Sequence, residues 1–214
     1  MVNLNEISQN LQYGRVRETS ALTEQAIKEN YPLETIITEG FLAGLEALEE
    51  RRRQKEIRFS EIALALCALN RGINRIRQEQ ASSPQKSLCT MTVIIGETEG
   101  DAEDTMKNII TVILEGRGFR VIDLGTCVTP GEFIRVAQKE NAQLIICSAA
   151  LINTIGSMKN LVQGAATAGI RGKIKIMLTG APVTEQYCRL IGADLYAPDA
   201  VAVTELASAC CKKG

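Results

Sequence analysis

The sequence predicts an α/β protein: a small four-helix bundle followed by a flavodoxin-like, doubly wound, five-stranded parallel sheet. Three observations carry this. Residues 1–80 show helical periodicity throughout. Residues 88–214 alternate short apolar runs with amphipathic ones. Between them, QEQASSPQKS (78–87) is polar and linker-like. The expected domains are a helical bundle over 1–87 and a sheet domain over 88–214, within what 214 residues accommodate.

In chain order, Asn3 to Tyr13 is a short amphipathic helix stopped at Gly14, and Arg15 to Glu29 is a second, ended by the break Asn30-Tyr31-Pro32. Leu33 to Arg53 carries apolar residues at 33, 36, 37, 41, 42, 45 and 48, a helical stripe. Ser60-Glu61 opens a fourth helix, with its apolar face over Ile62 to Ile76. Short links between four such helices predict an antiparallel bundle. Further on, strands are expected at Met91–Ile95, Phe119–Leu124, Leu144–Ser148, Ile174–Leu178 and Asp194–Tyr196. Helices are expected at Asp104–Glu115, Pro130–Glu140, Ile155–Ala168, Thr184–Leu190 and Val201–Cys211, with Gly118, Gly169 and Gly192 at helix ends. Continuous apolar strands alternating with helices predict a parallel sheet covered on both faces.

Composition removes several function classes. Net charge is −1, which leaves no electrostatic footprint for nucleic acid or an anionic membrane. No apolar run approaches a membrane span, and MVNLNEISQNLQYGR lacks the basic-then-apolar pattern of a signal peptide, so a cytoplasmic protein is expected. The chain has no histidine, which excludes Ser-His-Asp and Cys-His catalysis and any histidine-ligated metal. Its seven cysteines are odd in number and contain no CxxC, predicting neither a disulfide framework nor a structural zinc site. Cys67, Cys127 and Cys147 lie in apolar runs and are expected to be buried; Cys210-Cys211 reads as part of a terminal helix.

The first strand-to-helix loop is acidic: Glu97, Glu99, Asp101, Glu103 and Asp104 fall within eight residues. In a parallel sheet such loops sit at the carboxyl ends of strands, where ligands bind. The loop offers glycine only at 96 and 100, among carboxylates that repel phosphate, so it is no dinucleotide cradle, and no Gly-Lys-Ser/Thr follows. A magnesium-binding receiver needs an aspartate where Ser148 stands and a lysine after the fifth strand, where YAPDA has none. Asp101 or Asp104 as a helix cap explains one or two acids, and a solvated loop explains the rest. The other carboxyl-end loops are SAALINTIGSM (148–158), TGAPVT (179–184) and YAPDA (196–200). With 97–106 they frame a crevice with small residues at its neck, suited to a slim, mostly uncharged group.

Over nearly its whole length the chain resembles the corrinoid (cobalamin-binding) proteins of methyltransferase systems, among them the methylamine, methanol and O-demethylase corrinoid proteins and the cobalamin domain of methionine synthase. EGFLAGLEALEE (39–50) and FSEIALALCALNRGI (59–73) are similar to helices of that family's cap domain, and VIDLGTCVTPGEFI, SAALINT and TGAPVTEQYCRLIGADLYAPDA to segments of its sheet domain. The family signature is Asp-x-His-x-x-Gly, then Ser-x-Leu, then Gly-Gly. Here Asp101 to Met106 is followed after forty-one residues by Ser148-Ala149-Ala150, and after twenty-eight more by Thr179-Gly180. Asp101, Ser148 and Gly180 match. Glu103 stands where the family has the histidine under cobalt, Met106 where it has glycine, Ala150 where it has leucine, and Thr179 where it has the first glycine of the pair.

The resemblance implies a cobalamin cofactor whose nucleotide tail leaves the metal and inserts between the second and third signature elements. The implied cofactor-binding positions are Gly100, Asp101, Glu103, Asp104, Thr105 and Met106 in the first loop, and Ser148, Ala150, Ile152 and Thr154 in the second. They continue with Thr179, Gly180 and Ala181 in the third loop and Tyr196, Ala197 and Pro198 in the fourth. Ser148 is expected to touch the tail and Gly180 to leave room for it; Thr179 narrows the neck and Ala150 widens it. Carboxylate is a hard donor and a poor substitute for imidazole, so the expected state is a detached tail with no protein ligand to the metal; water under the metal, held by Glu103 or Asp104, is one option. No residue is expected to act in catalysis or as a metal ligand. The implied role is a methyl-group carrier between a substrate-specific methyltransferase and one loading tetrahydrofolate or a thiol, served by a reductive activator. Cap helices shielding the methyl face are implied too. A corrinoid store, delivery protein or sensor is the alternative, and a relative that has lost the cofactor is the second.

Overall fold

The computed structural model describes residues 1–82 and 91–211. The chain divides into two compact units, Met1–Gln85 and Lys86–Gly214.

The first unit is all helix: α1 (Leu4–Gln12), α2 (Val16–Lys28), α3 (Leu33–Thr35), a π-helical stretch (Ile36–Leu42), α4 (Ala43–Arg53) and α5 (Phe59–Ser82). Asn3 caps α1, its side chain accepting from the Asn5 N–H at 3.1 Å. Ile7, Leu11, Ile36, Ile37, Phe41 and Leu69 are wholly buried or nearly so and form the core. The expected helix over 33–53 is thus continuous, with a wider π turn in its middle. Phe59–Ser82 absorbs the first half of the expected linker: Gln78 to Ser82 are helical, because nothing in that polar run breaks a helix before Pro84. The rest of that stretch, and Cys89, lie outside the described residues.

The second unit holds five parallel strands: β1 (Thr92–Glu97), β2 (Arg120–Asp123), β3 (Leu144–Ser148), β4 (Lys175–Thr179) and β5 (Leu195–Ala197). Their order is β2-β1-β3-β4-β5. This is the flavodoxin-like order, with its switch point between β1 and β3. Helices α6 (Thr105–Gly116), α7 (Pro130–Lys139), α8 (Ile155–Thr167), α9 (Glu185–Ile191) and α10 (Ala200–Cys211) alternate with the strands. Thr129 and Thr184 cap α7 and α9, each accepting from the backbone N–H three residues on. The strands fall where expected to within one or two residues.

The sheet's two faces differ. Ile94, Ile145, Cys147, Ile176 and Leu178 join Val128, Phe133 and Leu161 in one apolar cluster beneath α7 and α8. At Gly96 an added Cβ would lie 2.9 Å from the Phe133 ring and 3.1 Å from Val128, so this face is closed right up to the end of β1. Side chains alternate along a strand, so Val93, Ile95 and Glu97 face the other way, toward α6 and α10.

Two cysteine expectations are corrected. Cys147 is buried, but Cys67 and Cys127 are exposed. Cys67 lies on the outer side of α5, and Cys127 is in a left-handed turn at φ 54°, so an apolar run in sequence did not mean an inward side chain. Cys211 is disulfide-bonded, which the odd count and the spacing of the cysteines did not signal.

Candidate functional site

At the carboxyl edge of the sheet the strand ends meet in register: Glu97 beside Ser148, Ser148 beside Thr179, Thr179 beside Ala197. All four are buried, Glu97 and Thr179 to 1% exposure each. Glu97, Ser148 and Thr179 therefore make a polar row on the α6–α10 face, at the switch point of the fold. Burial pushes the Glu97 carboxyl up to about 8; Asp101 and Glu103 push the same way, while Ser148 and Lys107 pull against it. At neutral pH the group is mostly the uncharged acid. Its Oε2 has no hydrogen-bond partner, nor does Thr179 Oγ1. These are the two orphaned buried side-chain oxygens among the described residues.

Asp101 ties three loops together. Its Oδ2 accepts from the backbone N–H groups of Ala150 at 2.7 Å and Leu151 at 2.9 Å, and from Thr154 Oγ1 at 3.4 Å. Its Oδ1 accepts from the Glu103 N–H at 3.1 Å. Its backbone carbonyl accepts from the Cys127 N–H at 2.9 Å. The side chain is fully buried. A carboxylate with this many donors is a structural clamp, not a free base. The capping expectation is corrected here: Asp104 sits at the N-cap of α6 but makes no side-chain cap bond.

Glu103 is exposed, and its Oε1 accepts from the Thr105 N–H at 3.0 Å. Thr105 and Met106 open α6 and are half-buried. Gly100 is exposed at φ 85°. Gly180 has φ 116°, and a Cβ there would lie 1.9 Å from the Ala149 carbonyl oxygen, so only glycine fits. Ala150 lines the same edge, while Ile152, Ala181 and Pro198 are exposed beside it. Tyr196 is half-buried and Ala197 fully so. The four expected loops thus come together at one edge. Sequence reasoning left out Glu97 from the site, although a charged residue ending an apolar strand was the available signal. It also left out Lys107, 2% exposed, whose Nζ bonds Asp123 Oδ2 at 2.6 Å and Asn108 Oδ1 at 3.0 Å. Among the described residues no group of three or more His, Cys, Asp or Glu side chains is placed to hold a metal ion.

A model of the B12 binding domain matches residues 91–208, and a second B12 binding domain model matches residues 4–77. The chain belongs to the B12-binding family. It is 33% identical over 168 residues to trimethylamine corrinoid protein 1 of Methanosarcina mazei, covering 78% of each chain. To the dimethylamine corrinoid protein of Methanosarcina barkeri it is 31% identical over 180 residues, covering 84% of each. In fold it matches the structure of the Methanosarcina barkeri monomethylamine corrinoid protein, with a TM-score of 0.82 over 94% of both chains at 24% identity. The cofactor of this family is a corrinoid, and the polar row lies within the matched domain.

Proposed function

We propose that this chain is a methyl-group carrier that binds its corrinoid tail-first at the carboxyl edge of the sheet and supplies no protein ligand to the metal. The observation that carries the binding mode is the pair of orphaned oxygens, Glu97 Oε2 and Thr179 Oγ1, flanking Ser148. Buried polar atoms left unpaired cost about 1–3 kcal/mol each, and a polar ligand repays that. Gly180 lets the third loop pack directly on the Ala149 backbone beside them, where a Cβ would lie 1.9 Å from the carbonyl oxygen. These residues fit the nucleotide tail of a corrinoid. The donor set does not fit axial ligation: the chain lacks histidine, and Glu103 turns its carboxylate back onto the Thr105 N–H.

The corrinoid supplies the methyl-accepting and methyl-donating chemistry. The chain's own residues bind and position it. Asp101 fixes the loop carrying Ala150 to Thr154 against the acidic loop, which sets the width of the crevice. Glu97, as the neutral acid, keeps net charge out of the buried neck. No acid or base is required of the protein, in keeping with the missing histidine. Among the described residues no helix is long and apolar enough to cross a membrane. The partners in this reading are methyltransferases, one demethylating a small methylated substrate and one loading tetrahydrofolate or a thiol, with a reductive activator, and its location is the cytoplasm. The relatives named for trimethylamine and dimethylamine support a methylamine as that substrate.

The test is reconstitution with hydroxocobalamin followed by desalting and a transfer assay. Colour should co-elute with the protein, and with a thiol-loading methyltransferase added the methyl group should reach the thiol. A coloured protein that transfers nothing to any such partner is a store, and a colourless one at every oxidation state is neither.

A further inference from the structure

We infer that Glu97 and Thr179 select the base at the end of the corrinoid tail, favouring an aminated purine over dimethylbenzimidazole. This rests on the tail-first reading above. Glu97 and Thr179 stand on β1 and β4 with Ser148 of β3 between them. Neighbouring strands lie about 4.8 Å apart, so the two orphaned groups sit at backbone positions about 10 Å from one another. A fused two-ring base with a hydrogen bond at each end spans that gap.

The hydrogen-bond chemistry narrows the base further. Glu97 is the uncharged acid at neutral pH, because burial pushes its pKa to about 8. One of its oxygens already meets the Ser148 hydroxyl, and Oε2 is the free one. A protonated Oε2 needs an acceptor, which an unprotonated ring nitrogen supplies. Thr179 Oγ1, at the other end, accepts from an exocyclic amine or donates to a second ring nitrogen. Adenine offers both kinds of atom. Dimethylbenzimidazole frees one nitrogen and turns two methyl groups to the remaining orphan, which stays unsatisfied. Lys107 does not intervene, because its Nζ is held by Asp123 and Asn108. The opposite sheet face offers no alternative, being apolar and closed by Phe133 and Val128.

The test is spectral titration of the full chain with three corrinoids: one with an adenine base, cobalamin with dimethylbenzimidazole, and cobinamide, which has no base. The wild type should bind the adenine form about tenfold more tightly than cobalamin, the value of one additional satisfied hydrogen bond, and cobinamide least. Thr179→Val, nearly isosteric, should bring the ratio close to one by weakening binding of the adenine form more than that of cobalamin. Glu97→Leu should lower affinity for both based corrinoids toward that of cobinamide. Equal affinities in the wild type, a preference for cobalamin, or a preference that survives Thr179→Val would overturn the inference and leave the carrier reading standing. Failure of all three corrinoids to bind would overturn both.

Discussion

The two faces of the sheet share the same strands and register yet end differently. Beneath α7 and α8, the face through Ile94, Cys147 and Leu178 is sealed at its edge by Val128 and Phe133, and even Gly96 has no room for a methyl group. Toward α6 and α10, Val93 and Ile95 lead to Glu97, in register with Ser148 and Thr179, and two of those side chains keep an unpaired oxygen. One face is finished by the protein alone. The other keeps two buried oxygens that the protein itself leaves unpaired. That difference locates the site more sharply than the acidic loop does, since that loop's most buried acid, Asp101, is fully occupied in holding backbone.

Substitutions on either side of this divide should separate stability from binding. The largest effect belongs to the clamp between the loops. Asp101→Ala strips a buried acceptor from the Ala150, Leu151 and Glu103 N–H groups. It should cost about 4 kcal/mol, read as a lowered thermal midpoint, with corrinoid binding lost as the loops separate. A variant of unchanged stability would show that water replaces the clamp. On the sealed face, Gly96→Ala drives a methyl group into Phe133 and should cost about 2 kcal/mol, while the folded variant binds corrinoid normally. Weakened binding in that folded variant would break the division between the faces. On the open face the sign reverses: Thr179→Val removes an orphaned hydroxyl and should stabilise the cofactor-free protein by about 1 kcal/mol.

A pH series sharpens the same comparison. The folded Glu97 carboxyl holds its proton to about 8, against an ordinary value of 4.5. Below the lower value both folded and unfolded chains carry that proton. Between the two, the folded chain keeps a proton that the unfolded chain has released, so stability falls as pH rises. Above the upper value it levels off. Glu97→Gln should abolish this part of the slope between pH 4.5 and 8 in chemical denaturation. An identical slope in both proteins would mean that the carboxyl is ionised in the fold.

The fold was legible because parallel strands buried on both faces read as apolar runs, and because glycine marked helix ends at Gly118, Gly169 and Gly192. Asp101, Ser148 and Gly180 were legible through their spacing. The polar row was not. Which face Glu97 takes depends on strand register, and its burial depends on residues fifty to eighty positions away. Ser148 and Thr179 were expected in the same crevice, but only the β1–β3 and β3–β4 pairings set them in a row with Glu97. The half-turned Cys127 and the helical Gln78 to Ser82 were missed for a similar reason: local composition does not report which way a side chain turns, or that a polar run stays helical.

The central claim is that the tail leaves the metal for the polar row and that nothing from the protein takes its place. Electron paramagnetic resonance of the reconstituted protein, reduced to its cobalt(II) form, tests this most directly. An axial nitrogen splits each cobalt line into three. The expected spectrum lacks that splitting, as it must if the tail base lies against Glu97, Ser148 and Thr179. Resolved nitrogen splitting would put the tail base, or a lysine, beneath the metal and contradict the claim.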